Sequence, residues 1–178
     1  MAMWNPWRGC HRYSAGCKFC YIHQADRRRG MDTDEIVKTD NFHAPVLKNK
    51  KGDYRMKPGQ TVYLGFSTDF LIREADPWRG ECWDMIRERR DLNFIFLTKR
   101  IERFMECLPG DWGDGYDNVT VGCTVENQDR ADFRLPIFNS LPIKHKNIIC
   151  QPLLEQVDLA PYLQPVSYTH LRAHETRR

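Results

Sequence analysis

The chain has 178 residues, 41% of them hydrophobic, with 27 Lys and Arg against 24 Asp and Glu for a net charge of +3. That length fits one domain, and so small a charge excludes neither partner nor fold but gives no case for a strongly basic nucleic-acid binder or an acidic disordered chain. No apolar run is long enough for a membrane span, nothing before Trp4 reads as a signal peptide, and seven cysteines, an odd number, point to a reducing, cytoplasmic setting where clustered thiols serve metal binding or catalysis.

In chain order, Met3 to Trp7 leaves room only for a very short strand. WNPWRGCHRYSAGCKFCY then carries Cys10, Cys17 and Cys20 in C-x6-C-x2-C spacing. FCYIHQADRRRG reads as a short helix that Gly30 stops, with Arg27, Arg28 and Arg29 as a solvated run of cations at its C-terminal end, for which contact with phosphate or nucleic acid is the functional alternative. MDTDEIVKTD shows no clear preference, and NFHAPVLKNKKGDYRMKPGQ reads as a solvated loop with a short helix. A regular rhythm follows. TVYLGFSTDF gives a strand over 62–66, and PWRGECWDMIRERR an amphipathic helix with Cys82, Trp83 and Ile86 on one face. NFIFLTKR gives a strand over 94–97 ending in Thr98, Lys99 and Arg100. IERFMECL is a short helix halted before Pro109, and GDWGDGYD is a turn-rich link. NVTVGCTVEN is a strand ending in Glu126 and Asn127. DRADFRLPIFNSLP is a helix that Pro136 should interrupt. KNIICQPLLEQV is a strand over 147–150, and DLAPYLQP begins another helix.

The last stretch, VSYTHLRAHETRR over 166–178, resembles a translated sequencing-library adaptor and is expected to be a scar. Residues 1–165 are then the native domain, expected to be cut near Pro165. Without Arg172, Arg177, Arg178 and Glu175 the net charge falls from +3 to +1.

Strand and helix alternate as repeated βα units do. The apolar strands predict cover on both faces. Polar residues gather where strands end: Ser67 and Asp69, then Thr98, Lys99 and Arg100, then Glu126 and Asn127, then Gln151. In parallel sheets and barrels that edge binds ligands, although polar residues also simply mark the exit into a loop. The other cysteines, Cys82, Cys107, Cys123 and Cys150, fall in helix or strand patterns and read as small core residues.

Three thiols in one loop admit three chemistries. A structural zinc site needs a fourth ligand, which His11 or His23 could supply. A redox dithiol at Cys17 and Cys20 leaves Cys10 without a role. A four-iron cluster held by three thiolates leaves one iron open to an outside ligand.

The CKFC half of the loop resembles the cluster motif of the radical S-adenosylmethionine (SAM) superfamily, with Phe19 as its aromatic residue and a first gap of six rather than three. WNPWRGC followed by SAGCKFCY, with GFSTDF, FIFLTKR, VGCTVENQ and QPLLE, resembles more closely a phage-derived domain of unknown function, the three-Cys-motif family. These resemblances imply a partial, TIM-type (β/α)6 barrel, C-terminally truncated here. They imply a 4Fe-4S cluster on Cys10, Cys17 and Cys20, and SAM chelated at the open iron. One electron would cleave SAM to a 5′-deoxyadenosyl radical that attacks an unidentified substrate. A flavodoxin- or ferredoxin-like electron donor and a neighbouring partner protein are implied with it; a nucleic-acid substrate would suit a phage enzyme but has no support from charge. By position and resemblance, Ser67 and Asp69 would receive the SAM ammonium, Lys99 or Arg100 its carboxylate, and Glu126 and Asn127 its ribose. Each also reads as an ordinary ion pair or helix cap. The alternative function is a non-catalytic module in which zinc or a cluster holds the loop together.

Overall fold

Five short strands make a sheet in which every neighbouring pair is parallel. The structure is a computed structural model describing residues 2–163, so the adaptor-like stretch and the cut near Pro165 lie outside the described residues. The strands are β1 (Ala2–Trp4), β4 (Thr61–Leu64), β5 (Asn93–Thr98), β6 (Val119–Thr124) and β7 (His145–Ile149), in the order β1-β4-β5-β6-β7. A separate two-stranded antiparallel ribbon pairs β2 (Trp7–Arg8) with β3 (Val37–Lys38). Three α-helices stand among the described elements: α1 (Tyr21–Arg29), α2 (Asp76–Glu88) and α3 (Gln128–Ser140).

The strand order repeats the chain order, so every crossover steps the same way along the sheet. Right-handed crossovers that all step one way put their helices on one face, whereas a doubly wound sheet reverses direction and covers both. The burial pattern agrees. Val62, Leu64, Phe94, Phe96, Val121 and Cys123 are buried with Cys82, Trp83 and Ile86 of α2 and Leu135 and Phe138 of α3. On the other face Tyr63, Ile95 and Thr120 lie in register and are only half-buried, and Met3 beside Tyr63 is 56% exposed. The expectation of cover on both faces is met in part among the described residues, since Gly122 and Thr124 on this second face are buried where the sheet nears its C-terminal edge. The fold shown is α/β with a parallel sheet, and β1 and β7 stand at its two edges.

Several local features follow from the residues. Gly30 ends α1 in the left-handed conformation, φ +67°, which costs glycine nothing. Gly65, φ +70°, ends β4 one residue before Phe66, so the strand is shorter than its apolar run. Trp83 fills the space between α2 and the sheet, edge-on to Phe70 and Phe96, and donates through Nε1 to Cys107 O at 2.8 Å. Truncating a buried aromatic of this kind costs about 3–5 kcal/mol.

Two expectations need correction. Residues 101–107 coil as a 3-10 helix rather than an α-helix. α3 runs unbroken through Pro136. Proline removes one backbone donor and crowds the preceding turn, but Ala131, Leu135 and Phe138 are buried on either side of it and hold the helix down.

Candidate functional site

The cysteine loop follows β1 and folds back over the C-terminal edge of the sheet. Its path is set by contacts to the strand ends. Asn5 Oδ1 accepts from Ser67 N at 3.1 Å, and Thr68 Oγ1 donates to Gly9 O at 2.5 Å. Gly9 has φ +94°, and a Cβ there would run into the carbonyl of Glu35. Gly16 packs against Glu126 and Pro152, where a Cβ would stand 3.2 Å from each. Under the loop, Trp4 and Trp7 are fully buried, and Trp7 stacks on Phe70 at 5.4 Å.

The three thiols differ in setting. Cys17 is buried, and its Sγ accepts from Tyr13 N at 3.4 Å. Cys20 is half-buried and ends the 3-10 turn Ala15–Phe19. Cys10 is half-buried, with Sγ 3.5 Å from His11 O and 3.9 Å from Arg100 Nη1. Burial pushes the Cys10 thiol up to about 12, with the Asp69 carboxylate adding to it and Arg100 opposing it. Among the described residues no three His, Cys, Asp or Glu side chains stand close enough to hold a metal ion. The backbone thus gathers three thiols on one loop, and their sulfur atoms do not converge.

The polar strand ends meet beneath this loop. Asp69, 5% exposed, accepts four hydrogen bonds: Leu71 N at 3.0 Å and Thr98 Oγ1 at 2.8 Å on Oδ1, Lys99 N at 3.0 Å and Arg100 Nη1 at 3.3 Å on Oδ2. Its acceptor capacity is spent inside the protein. Arg100 continues to His11 O at 2.9 Å, tying β5 to the cysteine loop. Asn127 caps α3, its Oδ1 accepting from Arg130 N at 3.0 Å. Ser67 is half-buried, and its hydroxyl has no partner among the described residues. His11 sits between Glu74 at 3.1 Å and Asp34 at 3.5 Å on the outer side of the loop.

Glu126 and Lys99 are the members that keep unspent capacity. Glu126 is fully buried, 2.8 Å from Arg134 and 3.8 Å from Lys99 Nζ. Its Oε1 makes no hydrogen bond, and neither do Ser14 Oγ nor Nε and Nη2 of Arg134. Burial works to raise the Glu126 carboxyl, but the nearby Ser14 hydroxyl, Lys99 and Arg134 together hold it below its usual value. Burial lowers the Lys99 ammonium, against the pull of Glu126. A buried carboxylate, a guanidinium and an ammonium with open valences amount to a polar centre able to orient a small polar ligand.

The sequence reading missed Arg134. It stands eight residues from Glu126 inside α3, where an arginine reads as a solvent-facing charge; only its place after a strand-end acid hinted otherwise. It also missed Arg79 and Arg103. Arg79 is buried and donates to Phe70 O and Ile72 O at 2.9 and 2.6 Å, and Arg103 donates to Leu71 O at 2.6 Å. Both donate to Asp76, so they clamp the turn that carries Asp69. No described helix is long and apolar enough to cross a membrane.

No curated protein and no solved structure matches the chain. The model of a family described as "Protein of unknown function (DUF5131)" matches residues 1–168, which is nearly the whole length, and the chain belongs to that family.

Proposed function

We propose that the protein is a radical SAM-like iron–sulfur enzyme whose cluster loop is the segment bearing Cys10, Cys17 and Cys20, on a partial barrel of the (β/α)6 kind. One relationship carries the proposal. The loop follows the first strand and lies over the C-terminal edge of a parallel sheet whose strands run in chain order. That edge is where a barrel of βα units presents its ligands.

The donor set fits a four-iron cluster by its chemistry. Three thiols lie within one short loop, all seven described cysteines are free of disulfides, and a backbone N–H already points at Cys17 Sγ. The thiols must be drawn together on binding, since they do not converge in this state. A bound cluster supplies one electron for the reductive cleavage of SAM. The chain's own residues bind, orient and shield. Lys99 is the cation left to meet a carboxylate of SAM, because Arg100 is committed to Asp69 and His11. Glu126, with Oε1 unpartnered, and Ser67, whose half-buried hydroxyl makes no bond to a described residue, are the polar groups with capacity for its ammonium or ribose. Asp69 and Asn127 act at one remove, by holding Arg100 and the start of α3 in place.

A second reading, a metal-binding module without catalysis, draws on the same commitment of Asp69, Arg100 and Asn127 to internal bonds. Anaerobic reconstitution with iron and sulfide, reduction with dithionite and chromatography for 5′-deoxyadenosine decides between them. Release of 5′-deoxyadenosine and methionine is the expected result. A cluster-loaded protein that cleaves no SAM leaves the module reading in force, and a colourless zinc-binding protein removes the cluster.

A further inference from the structure

Next to the polar centre, which it meets at Ser14, and on the solvent side of the cysteine loop, Arg12, Lys18 and Arg27 line one open pocket of about 620 Å³, with Phe19 and Leu154 on its walls and no carboxylate among its lining groups. The total charge of the chain gave no sign of it, because the cations come from two separate elements, the loop and the last turn of α1. All three are exposed, and none forms an ion pair with a described residue. Phe19 is 55% exposed and Leu154 38% exposed. An apolar ring left in water between unpaired cations is the composition of a surface that tracks a phosphate backbone and stacks bases.

We propose that this pocket binds single-stranded nucleic acid, with phosphodiester groups on Arg12, Lys18 and Arg27 and a base on the ring of Phe19. Like charges gathered without counter-charge among the described residues call for an anionic ligand. SAM does not suit the place, since its sulfonium would meet only cations. A duplex does not suit it either, since a paired base has no free face to offer Phe19. The pocket opens beside the cysteine loop, so a bound strand lies next to the proposed cluster, but the binding itself needs no metal and stands apart from the enzymatic proposal.

The test is fluorescence anisotropy with the full chain and a labelled mixed-sequence single-stranded DNA of about 12 nucleotides, within the site sizes of single-strand binders. Arg12→Glu, Lys18→Glu and Arg27→Glu should each weaken binding by about fivefold or more and flatten the salt dependence by roughly 0.7 in log–log slope per lost phosphate contact. Phe19→Ala should weaken binding about equally at low and high salt, the mark of a stacking contact. Lys50→Glu and Lys57→Glu, both exposed and in the loop before β4 rather than at the pocket, should stay within about twofold, the change expected of screened charges that touch no phosphate. Absence of binding at low salt overturns the proposal. So does equal weakening by the two control reversals, which would mean diffuse attraction only. Full displacement of the strand by inorganic phosphate or a mononucleotide at matched phosphate concentration, or equal affinity for a duplex of the same sequence, overturns the assignment of a strand and a stacked base.

Discussion

Arg100 Nη1 stands 3.3 Å from Oδ2 of Asp69, and both side chains are nearly closed off from water, at 10% and 7% exposure. The pair joins the loop after β4 to the end of β5, and Arg100 passes the connection on to the cysteine loop through His11 O. The pair is one of the ties that hold Cys10, beside the bond from Cys10 N to Thr33 O at 2.8 Å.

Asp69→Asn should therefore act first on stability. It removes the counter-charge of a buried guanidinium, a change worth about 3–5 kcal/mol. Urea unfolding followed by circular dichroism should show a lower midpoint with an unchanged slope. An Asp69→Asn protein as stable as the parent, but unable to bind SAM, would show that the carboxylate is a ligand group and not a structural pin.

Glu126 and Arg134 form a fully buried pair at 2.8 Å. Arg134→Met strands the carboxylate with only Lys99 at 3.8 Å, and should cost about 3–5 kcal/mol. The double variant Glu126→Leu/Arg134→Met should recover most of that loss, because the desolvation of both charges is removed together. A double-mutant cycle measures the coupling. Additive losses in the cycle would mean that the two side chains do not act as a pair.

Asp76 receives Arg79 Nη1 at 2.6 Å and Arg103 Nη2 at 2.8 Å. Burial alone would raise its carboxyl, but the bonds and charges of Arg103 and Arg79 outweigh it and hold the group below its usual value. A depressed folded pKa contributes stability above the unfolded value of about 3.9 and loses it as pH falls through the folded one. The side chain is 42% exposed, so solvent screening limits the contribution to the order of 1 kcal/mol. Acid titration of the unfolding midpoint should show the parent losing more stability than Asp76→Asn below about pH 5. Parallel acid profiles for the two proteins would contradict the clamp.

Cys10→Ala, Cys17→Ala and Cys20→Ala should each abolish loading of a four-iron cluster, measured as iron and sulfide per chain after anaerobic reconstitution. Cys82→Ala and Cys150→Ala should load as the parent does, since Cys82 is fully buried in the core and Cys150 follows β7. A requirement for either of these would mean four protein thiolates and no iron open to a further ligand.

Much of this was legible in the residues. Alternating apolar runs and amphipathic stretches marked four of the main-sheet strands, and the short span before the cysteine loop limited the first. Gly30 marked the end of α1, and the helical spacing of Cys82, Trp83 and Ile86 marked the buried face of α2. These are local matters, settled by period and backbone preference within a few residues. The gathering of Ser67, Asp69, Lys99, Arg100 and Glu126 near one edge also follows from parallel strands, whose ends all lie at the same side. What each residue does there was not legible. Asp69 is saturated because Thr98, Lys99 and Arg100 arrive from the neighbouring strand, and Glu126 finds Arg134 because α3 folds back over β6. α2 and α3 lie on one face because all crossovers step one way, which no single segment encodes. α3 survives Pro136 because the core holds it on both sides. The cationic pocket forms only when the loop bearing Arg12 and Lys18 comes to lie against the end of α1. Such outcomes depend on which distant groups share a low-dielectric space, where pairing outweighs local preference, and that choice belongs to the tertiary structure alone.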